Sequence, residues 1–520
     1  MKFFDLAFTM AYDAKITYED VYSPVKMWDN IIYNYLLEQK TVIPNRPKQT
    51  GDAASYAGGY VKDPLVGKHK WAASFDLNSL YPMLICQYNM SPETLVDGER
   101  LPITVDSILD GKADLSYAFE QDYCVTGSGC LFRKDKRGLL PTLMQLYYDR
   151  RVLYKKAMLK TRQEYENTKN EALLKEIARL NNLQMAVKIA INSAYGAFAN
   201  TWFRYSDVRI AESITLSGQL SIRWIANKLN VLINKTMKTD NVDRVVLIDT
   251  DSVVLTLEDL VEKFCVGKDT EQRIRYMDKI AEEIIQPYLD KSYQELADKM
   301  NAYEQKMVMK RENLVDVMIS TAKKRYVMNV HNSEGVQYKT PKLKIMGMDM
   351  VKSSTPAVVR TQLKDSLKVV LHGTQDDLQA YVRDFKAKFR DYTAREIAFP
   401  RGVSNIAQYV CPTSIYKKAT PIHVRGAILY NYHLKRLGLD KKYPAIREGD
   451  KIRFVYLKPN NPFCENVISF IDKIPPEFGL DSYVNYDIMF EKAFQDSVQN
   501  VVGALGWHAE SVPTLEDFFA

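Results

Sequence analysis

Residues 243–257 read DRVVLIDTDSVVLTL. Two runs rich in β-branched residues flank Asp249-Thr250-Asp251-Ser252, and Asp and Ser are favoured turn residues. The pattern predicts a hairpin with carboxylates at its tip, Asp249 and Asp251 standing at i and i+2. A second carboxylate stands in a similar place far upstream. HKWAASFDL, residues 69–77, reads as a strand ending at Asp76, and the chain then turns at once through Ser79, Leu80, Tyr81 and Pro82. Strand ends are rigid positions from which carboxylates can hold Mg²⁺ for phosphoryl transfer, a reaction that needs positioning and charge neutralisation more than covalent chemistry. An Asp after a strand can equally do no more than cap a turn, and for each stretch alone that reading stays open.

Residues 142–200 carry a different signal, two long helical patterns around a polar tip near ENTKNE, which predicts an antiparallel helical arm. Lys188, Asn192 and Tyr195 are spaced i, i+4, i+7 and share one helix face. Gly196 follows them, where it would allow a close approach by a base or a backbone. Arg151 and Lys155 stand at i, i+4 on the other helix. Facing each other, these residues would form the cationic wall that a triphosphate needs, Arg as a planar fork and Lys as a point charge. Solvated helix faces are the plain alternative.

At 520 residues the chain is too long for one core and is expected to form about three or four domains. Hydrophobic residues make up 46%, which excludes a disordered chain, and no apolar run approaches a membrane span. The amino-terminal MKFFDLAFTM is interrupted by Asp5 and lacks a following small-residue cleavage site, so it is not read as a signal peptide. Six scattered cysteines read as reduced thiols of a cytoplasmic protein; Cys124 and Cys130, the closest pair, fit neither a zinc ribbon nor a redox pair. The net charge of +7 is compatible with nucleic acid without requiring it. Residues 1–40 read as helix, the segment around Tyr56–Val61 as loop, residues 323–347 as a hairpin or meander turning at NSEG, and the chain beyond Met348 as mostly helical.

Taken in order, DLNSLYP (76–82), KIAINSAYG (188–196) and DTDS (249–252) resemble motifs A, B and C of the family B DNA polymerases. KKRY (323–326) resembles a further primer-binding motif of that family. YAGGYV (56–61) is similar to its loop between exonuclease and polymerase regions. Other stretches between about residues 10 and 431, among them PKLKIMG and HVRGAILYN, are similar to bacteriophage members. The resemblance implies an α+β right-hand polymerase: a palm with a mainly antiparallel sheet, helical fingers and a mostly helical thumb. Residues 1–47 would be the tail of an exonuclease domain, 48–137 and 201–347 the two parts of the palm, 138–200 the fingers, and 348–520 the thumb.

The resemblance also implies roles. Asp76 and Asp251 would ligate two Mg²⁺ (or Mn²⁺ as a substitute) with help from the Leu77 carbonyl, and Asp249 would be a nearby carboxylate. Backbone N–H groups around Ser79 and Leu80, with Arg151, Lys155, Lys188 and Asn192, would hold a dNTP triphosphate. Tyr81 would lie under the sugar and exclude a 2′-hydroxyl, while Tyr195 and Gly196 line the nascent base pair. Glu312 would be a palm carboxylate near the metals. Gly58, Gly59, Lys323, Lys324, Arg325 and Tyr326 would contact primer-template DNA; a packed hairpin aromatic is the alternative for Tyr326.

Two residues depart from the family pattern. Ile248 stands where Gly usually precedes DTDS, so an altered turn is expected there, and Met83 replaces a Ser. No acidic exonuclease motif occurs upstream of Asp76, so the chain is expected to lack 3′–5′ exonuclease and to work beside a separate chain carrying the amino-terminal and exonuclease domains, unless it is a cut piece of a longer polymerase. At the other end, Leu515, Phe518 and Phe519, at i, i+3, i+4, resemble a sliding-clamp peptide; a terminus folded onto its own domain is the alternative. The expected setting is the cytoplasm of an infected bacterial host, with no membrane partner. A reverse transcriptase or RNA polymerase, a catalytically dead subunit and a plain nucleic-acid-binding module are the rival readings.

Overall fold

A computed structural model describes residues 2–46 and 55–511 of the chain. The fold is α+β and divides into two units, one of Met1–Lys62, Ala73–Leu314 and Ser333–Gly335, the other of Asp63–Ala72, Val315–Asn332 and Val336–Ala520.

The first unit opens with helices α1 (Lys2–Ala14) and α2 (Pro24–Glu38). Ser23 caps α2 by accepting the Lys26 N–H, and Pro24 sits at the first helical position, where its missing donor costs nothing. Trp28 of α2 is fully buried, and its indole N–H donates to the Ala190 carbonyl at 2.9 Å. The rings of Tyr147 and Phe198 lie 5.8 and 6.4 Å from it. Helix α1 instead turns large apolar side chains outward: Phe3, Phe4, Phe8 and Tyr12 are between 48% and 88% exposed.

The expected helical arm forms from α4 (Leu139–Thr168) and α5 (Ala172–Phe198), the chain reversing at Lys169 with φ +54°. Between them and the amino-terminal helices in sequence comes the short α3 (Leu80–Gln87). Leu180, Ala186, Val187, Ala190, Ile191 and Ala194 give α5 a buried stripe at helical spacing, while Lys188 and Asn192 stay exposed. Helix α6 (Val208–Met237) starts at Asp207, whose carboxylate accepts the Arg209 N–H, and it buries Ile210, Ile214 and Leu220.

The main sheet is built from β1 (Gly67–Leu77), β2 (Val245–Asp249), β3 (Ser252–Thr256), β4 (Met309–Ala322), β5 (Arg325–Ser333) and β6 (Val336–Met346). Within the first unit the order is β2-β3-β1-β4, and within the second β1-β4-β5-β6, since β1 and β4 run through both. Val245, Val246, Leu247, Ile248, Val253, Val254 and Leu255 are all buried, so both faces of the carboxylate-tipped hairpin are covered.

The second unit is mostly helical beyond β6, with Ala357–His372, Gln375–Lys388 and Ile422–Arg436 its longest helices. Phe385, Phe389, Phe490 and Phe494 pack edge to face or tilted in its core. A three-stranded antiparallel sheet of Phe399–Gly402, Lys451–Tyr456 and Val467–Phe470, not anticipated from the sequence, packs with these helices. All six cysteines are free thiols. Among the described residues no helix is long and apolar enough to cross a membrane. The expected clamp-binding residues Leu515, Phe518 and Phe519 lie outside the described residues.

Candidate active site

The β2–β3 hairpin pairs Asp249 with Ser252 and turns through Thr250 and Asp251. Thr250 has φ +63° and the Asp251 N–H bonds the Asp249 carbonyl at 2.7 Å, which makes the tip a γ-turn. A β-branched residue in this region is strained, and the surroundings hold it there. The Thr250 N–H donates to the Tyr60 carbonyl at 3.0 Å, and Val61 bridges Asp249. Ile248 carries none of the strain: it is a buried strand residue without a positive φ.

Asp76 reaches the same place from β1. The Leu77 N–H bonds the Asp251 carbonyl at 2.9 Å, so one backbone hydrogen bond ties the two carboxylate-bearing segments together. The chain then reverses at Ser79, φ +54°, while the Asn78 N–H is taken by the Val308 carbonyl. The first bond of α3 runs from the Met83 N–H to the Ser79 carbonyl. The N–H groups of Leu80 and Tyr81 precede it and Pro82 has none, leaving a helix start that favours an anion. Met83 is buried in the core of the unit, so its departure from the family pattern is a packing matter.

These elements enclose a cavity of about 460 Å³. Asp76, Leu77, Asp251 and Glu312 line one part of it, Ser79, Leu80 and Tyr81 another, and Arg151, Lys155, Lys188 and Asn192 of the two long helices a third. The structure therefore gathers eleven residues singled out from the sequence around one space. Asp249 lies at the same hairpin tip but does not line it.

Arg151 is half-buried, and one of its terminal N–H groups donates to the Ser79 hydroxyl at 3.1 Å. Its Nε is buried with no hydrogen-bond partner among the described residues. Burial holds the guanidinium below its usual pKa, against the opposing pull of Tyr148 and Glu334. A desolvated fork beside a short helix start is a site for an anion with several oxygens.

Tyr81 stands where the cationic and acidic parts meet. Its ring packs on Tyr195 at 4.8 Å and 49°, and the Tyr195 hydroxyl is 3.0 Å from that of Tyr56. Burial, then the Asp251 charge, then Tyr56 raise the Tyr81 phenol above its usual pKa, so it stays protonated throughout the neutral range. Tyr195 is raised too, by burial first and then by its bond to Tyr56.

Gly196 is exposed near the end of α5, and a Cβ there would meet nothing within 4 Å, so no part of the described chain makes the close approach that a glycine would allow. The Gly58 carbonyl accepts the Gln219 side-chain amide at 2.6 Å, and Gly59 packs against Thr250 and Tyr81. Lys323, Lys324, Arg325 and Tyr326 belong to the second unit at the β4–β5 turn. There Lys323 pairs with Asp63 at 3.1 Å, Lys324 has φ +60°, and Tyr326 is buried.

Sequence reasoning missed Glu334, which also lines the cavity. It sits in the β5–β6 turn with φ +48°, its N–H bonded to the Glu312 carbonyl at 2.7 Å. NSEG reads as an ordinary hairpin turn, and nothing in it signals a site.

Two aspartates, a backbone carbonyl and nearby glutamates are hard oxygen donors, the set that suits Mg²⁺. No group of three or more His, Cys, Asp or Glu among the described residues could hold a metal by itself.

The sequence profile described as DNA polymerase family B matches residues 29–502. The DNA-directed DNA polymerase of Escherichia phage RB69 is 31% identical over 579 aligned positions, covering 100% of this chain and 62% of the relative. That of Enterobacteria phage T4 is 30% identical over 572 positions, covering 99% and 62%. The DNA polymerase of Thermococcus gorgonarius is 24% identical over 534 positions, covering 96% and 57%. The chain thus spans about three fifths of the length of these relatives.

Proposed function

The chain belongs to DNA polymerase family B, and from that membership we propose that it catalyses template-directed, primer-dependent DNA synthesis from dNTPs. One observation carries the proposal: Asp76 and Asp251 share a cavity with Arg151, Lys155 and Lys188, an acidic part for metal ions and a basic part for a triphosphate. In the reaction the primer 3′-oxygen forms a bond to the α-phosphorus, the bond from that phosphorus to the bridging oxygen breaks, and pyrophosphate leaves. Two Mg²⁺, held by Asp76, Asp251 and the Leu77 carbonyl, would supply charge neutralisation at the reacting phosphate; Mn²⁺ would substitute. Arg151, Lys155, Lys188 and Asn192 grip the triphosphate, and the N–H groups of Leu80 and Tyr81 take phosphate oxygens. Tyr81 presents its ring to the sugar and has no room for a 2′-hydroxyl. Glu312 and Glu334 face the acidic part, while Gly58, Gly59 and Lys323 to Arg325 contact DNA; Tyr326, buried, packs in its hairpin instead.

The test is single-nucleotide incorporation by the purified chain on four templates that differ in one base. Each template should select its complementary dNTP. Equal incorporation of all four, or none with Mg²⁺ present, would overturn the reading.

Partners follow from the same membership. We propose that amino-terminal and 3′–5′ exonuclease domains, on the same polypeptide or another, cover the aromatic side of α1, because Phe3, Phe4, Phe8 and Tyr12 form an apolar surface of the kind that marks an interface. A sliding clamp would take the carboxy-terminal Leu515, Phe518 and Phe519. The phage relatives support DNA replication in the cytoplasm of an infected bacterium as the setting. Co-expression of such domains as a separate polypeptide with this chain and with Phe4→Asp/Phe8→Asp should give a complex in the first case and separate chains in the second. Persistence of the complex in the double variant would refute the α1 surface.

A further inference from the structure

We propose that Gly218, in the middle of α6, is a positioning residue that sets how far the Tyr81 ring reaches into the nucleotide cavity, and so sets the stringency of sugar selection. The proposal rests on the reading of Tyr81 as the group that excludes a 2′-hydroxyl. A glycine in a helix interior loses stability relative to alanine, and φ at Gly218 is not positive, so the backbone gives no reason for it. The side-chain surroundings do. A Cβ built on Gly218 would lie 3.1 Å from Cε1 of Tyr81, and 3.6 Å from both Leu80 Cδ2 and Leu84 Cδ1. Van der Waals contact between carbons begins nearer 3.5 Å, so the aromatic carbon is the atom that must give way.

The ring has few directions in which to give. Its hydroxyl end meets Gly59, where a Cβ would lie 2.9 Å from the Tyr81 oxygen and 2.9 Å from Thr250 Cγ2. One face meets Tyr195, itself held by Tyr56. The side left open is the cavity. A methyl group at position 218 therefore drives the ring toward the sugar of a bound nucleotide. Both glycines leave the ring its resting place, but they touch different atoms of it, Cε1 for Gly218 and the hydroxyl for Gly59.

That difference makes the proposal separable from a structural effect. Steady-state kcat and KM for dCTP and CTP would be measured opposite a template G for the unaltered chain, Gly218→Ala, Tyr81→Ala and the double variant, with thermal unfolding of each. Gly218→Ala should raise KM for dCTP, and it should raise the dCTP:CTP ratio of kcat/KM by roughly 5-fold or more, since one extra methyl group against a snug wall is worth about that much or more. In the Tyr81→Ala background the same substitution should leave the ratio unchanged within about 2-fold, the coupling vanishing with the ring. Tyr81→Phe should not relieve Gly218→Ala, whose clash is with the ring carbon Cε1 and not with the hydroxyl. If Tyr81→Ala itself leaves the ratio unchanged, the reading of Tyr81 fails. If Tyr81→Ala relaxes selection but Gly218→Ala leaves the ratio as it was, or shifts it equally without the ring, Gly218 has no positioning role. Should Gly218→Ala melt before it can be assayed, thermal unfolding of its double variant with Tyr81→Ala decides: recovery of the melting temperature is expected, and no recovery overturns the picture of a ring held at its resting place by Gly218.

Discussion

Replacing Arg151 by lysine keeps the charge in the nucleotide cavity and removes the fork. The structure gives the size of the effect. One guanidinium N–H is fixed by the Ser79 hydroxyl at 3.1 Å, and the buried Nε has no partner among the described residues. Partial burial has already stripped water from part of the group, so a phosphate oxygen gains a partly desolvated, oriented donor. A hydrogen bond to a charged group contributes about 1.5–3 kcal/mol. A lysine ammonium cannot reproduce the fork or its bond to Ser79, so about one such bond is lost. That corresponds to roughly 10- to 100-fold in kcat/KM for dNTP. The loss should fall mainly on KM, because the triphosphate is gripped before as well as during reaction. Ser79→Ala should reproduce a smaller part of it by freeing the guanidinium. The assay is single-turnover incorporation against dNTP concentration, with primer-template affinity from fluorescence anisotropy. Unchanged kcat/KM in Arg151→Lys, or a loss confined to DNA affinity, would refute the assignment.

Lys188→Ala should raise KM for dNTP about 10-fold, the order expected for one charged contact with phosphate, and leave DNA affinity within about 2-fold; collapse of DNA affinity instead would mean that α5 faces the duplex. Trp28→Ala should destabilise the first unit by about 3–5 kcal/mol in urea unfolding, since it empties the space between Tyr147 and Phe198 and removes the bond to Ala190; a change below about 1 kcal/mol would show that α2 does not anchor α5. Burial would raise the Asp316 carboxyl, but the His331 ring, its Nε2 3.3 Å away, a hydrogen bond from Asn329 and the His372 ring nearby hold it below the usual range. A carboxyl depressed in the folded state stabilises above its unfolded pKa and stops doing so as pH falls through its folded pKa. Asp316→Asn should therefore lower stability at pH 7 by about 1–2 kcal/mol and flatten the loss seen below about pH 4; an unaltered acid limb would rule Asp316 out as its source.

The carboxylate-tipped hairpin and the helical arm were legible because each depends on a local pattern. Continuous runs rich in β-branched residues on either side of DTDS specify two strands, and apolar residues at helical spacing over 172–198 specify α5. Gathering Asp76, Asp251, Arg151 and Lys188 around one cavity needed the long-range contacts and was reachable from sequence through resemblance alone. Where reading failed, the signal was short or ambiguous. The small sheet of the second unit uses strands of four to six residues, FPRG, KIRFVY and VISF, too short to stand out among long helices. Glu334 hid in a turn whose residues need no further explanation. The γ-turn strain at Thr250 depends on the Tyr60 carbonyl, distant in sequence. Gly218 gives no signal in the sequence, because its reason, the Tyr81 ring, lies far upstream.

Asp251→Asn is the most direct test of the central claim. The change keeps the side-chain shape and the backbone bond from the Leu77 N–H to the Asp251 carbonyl, so the hairpin tip and the β1 end stay tied. It removes one charge from the acidic part of the cavity. Rapid-quench measurement of single-nucleotide incorporation with Mg²⁺, on primer-template DNA, should show the rate falling by at least on the order of 10³-fold while DNA affinity stays within about 3-fold. Incorporation by Asp251→Asn within about 10-fold of the unaltered chain would contradict the account, because a reaction that survives loss of that carboxylate does not depend on ions held there.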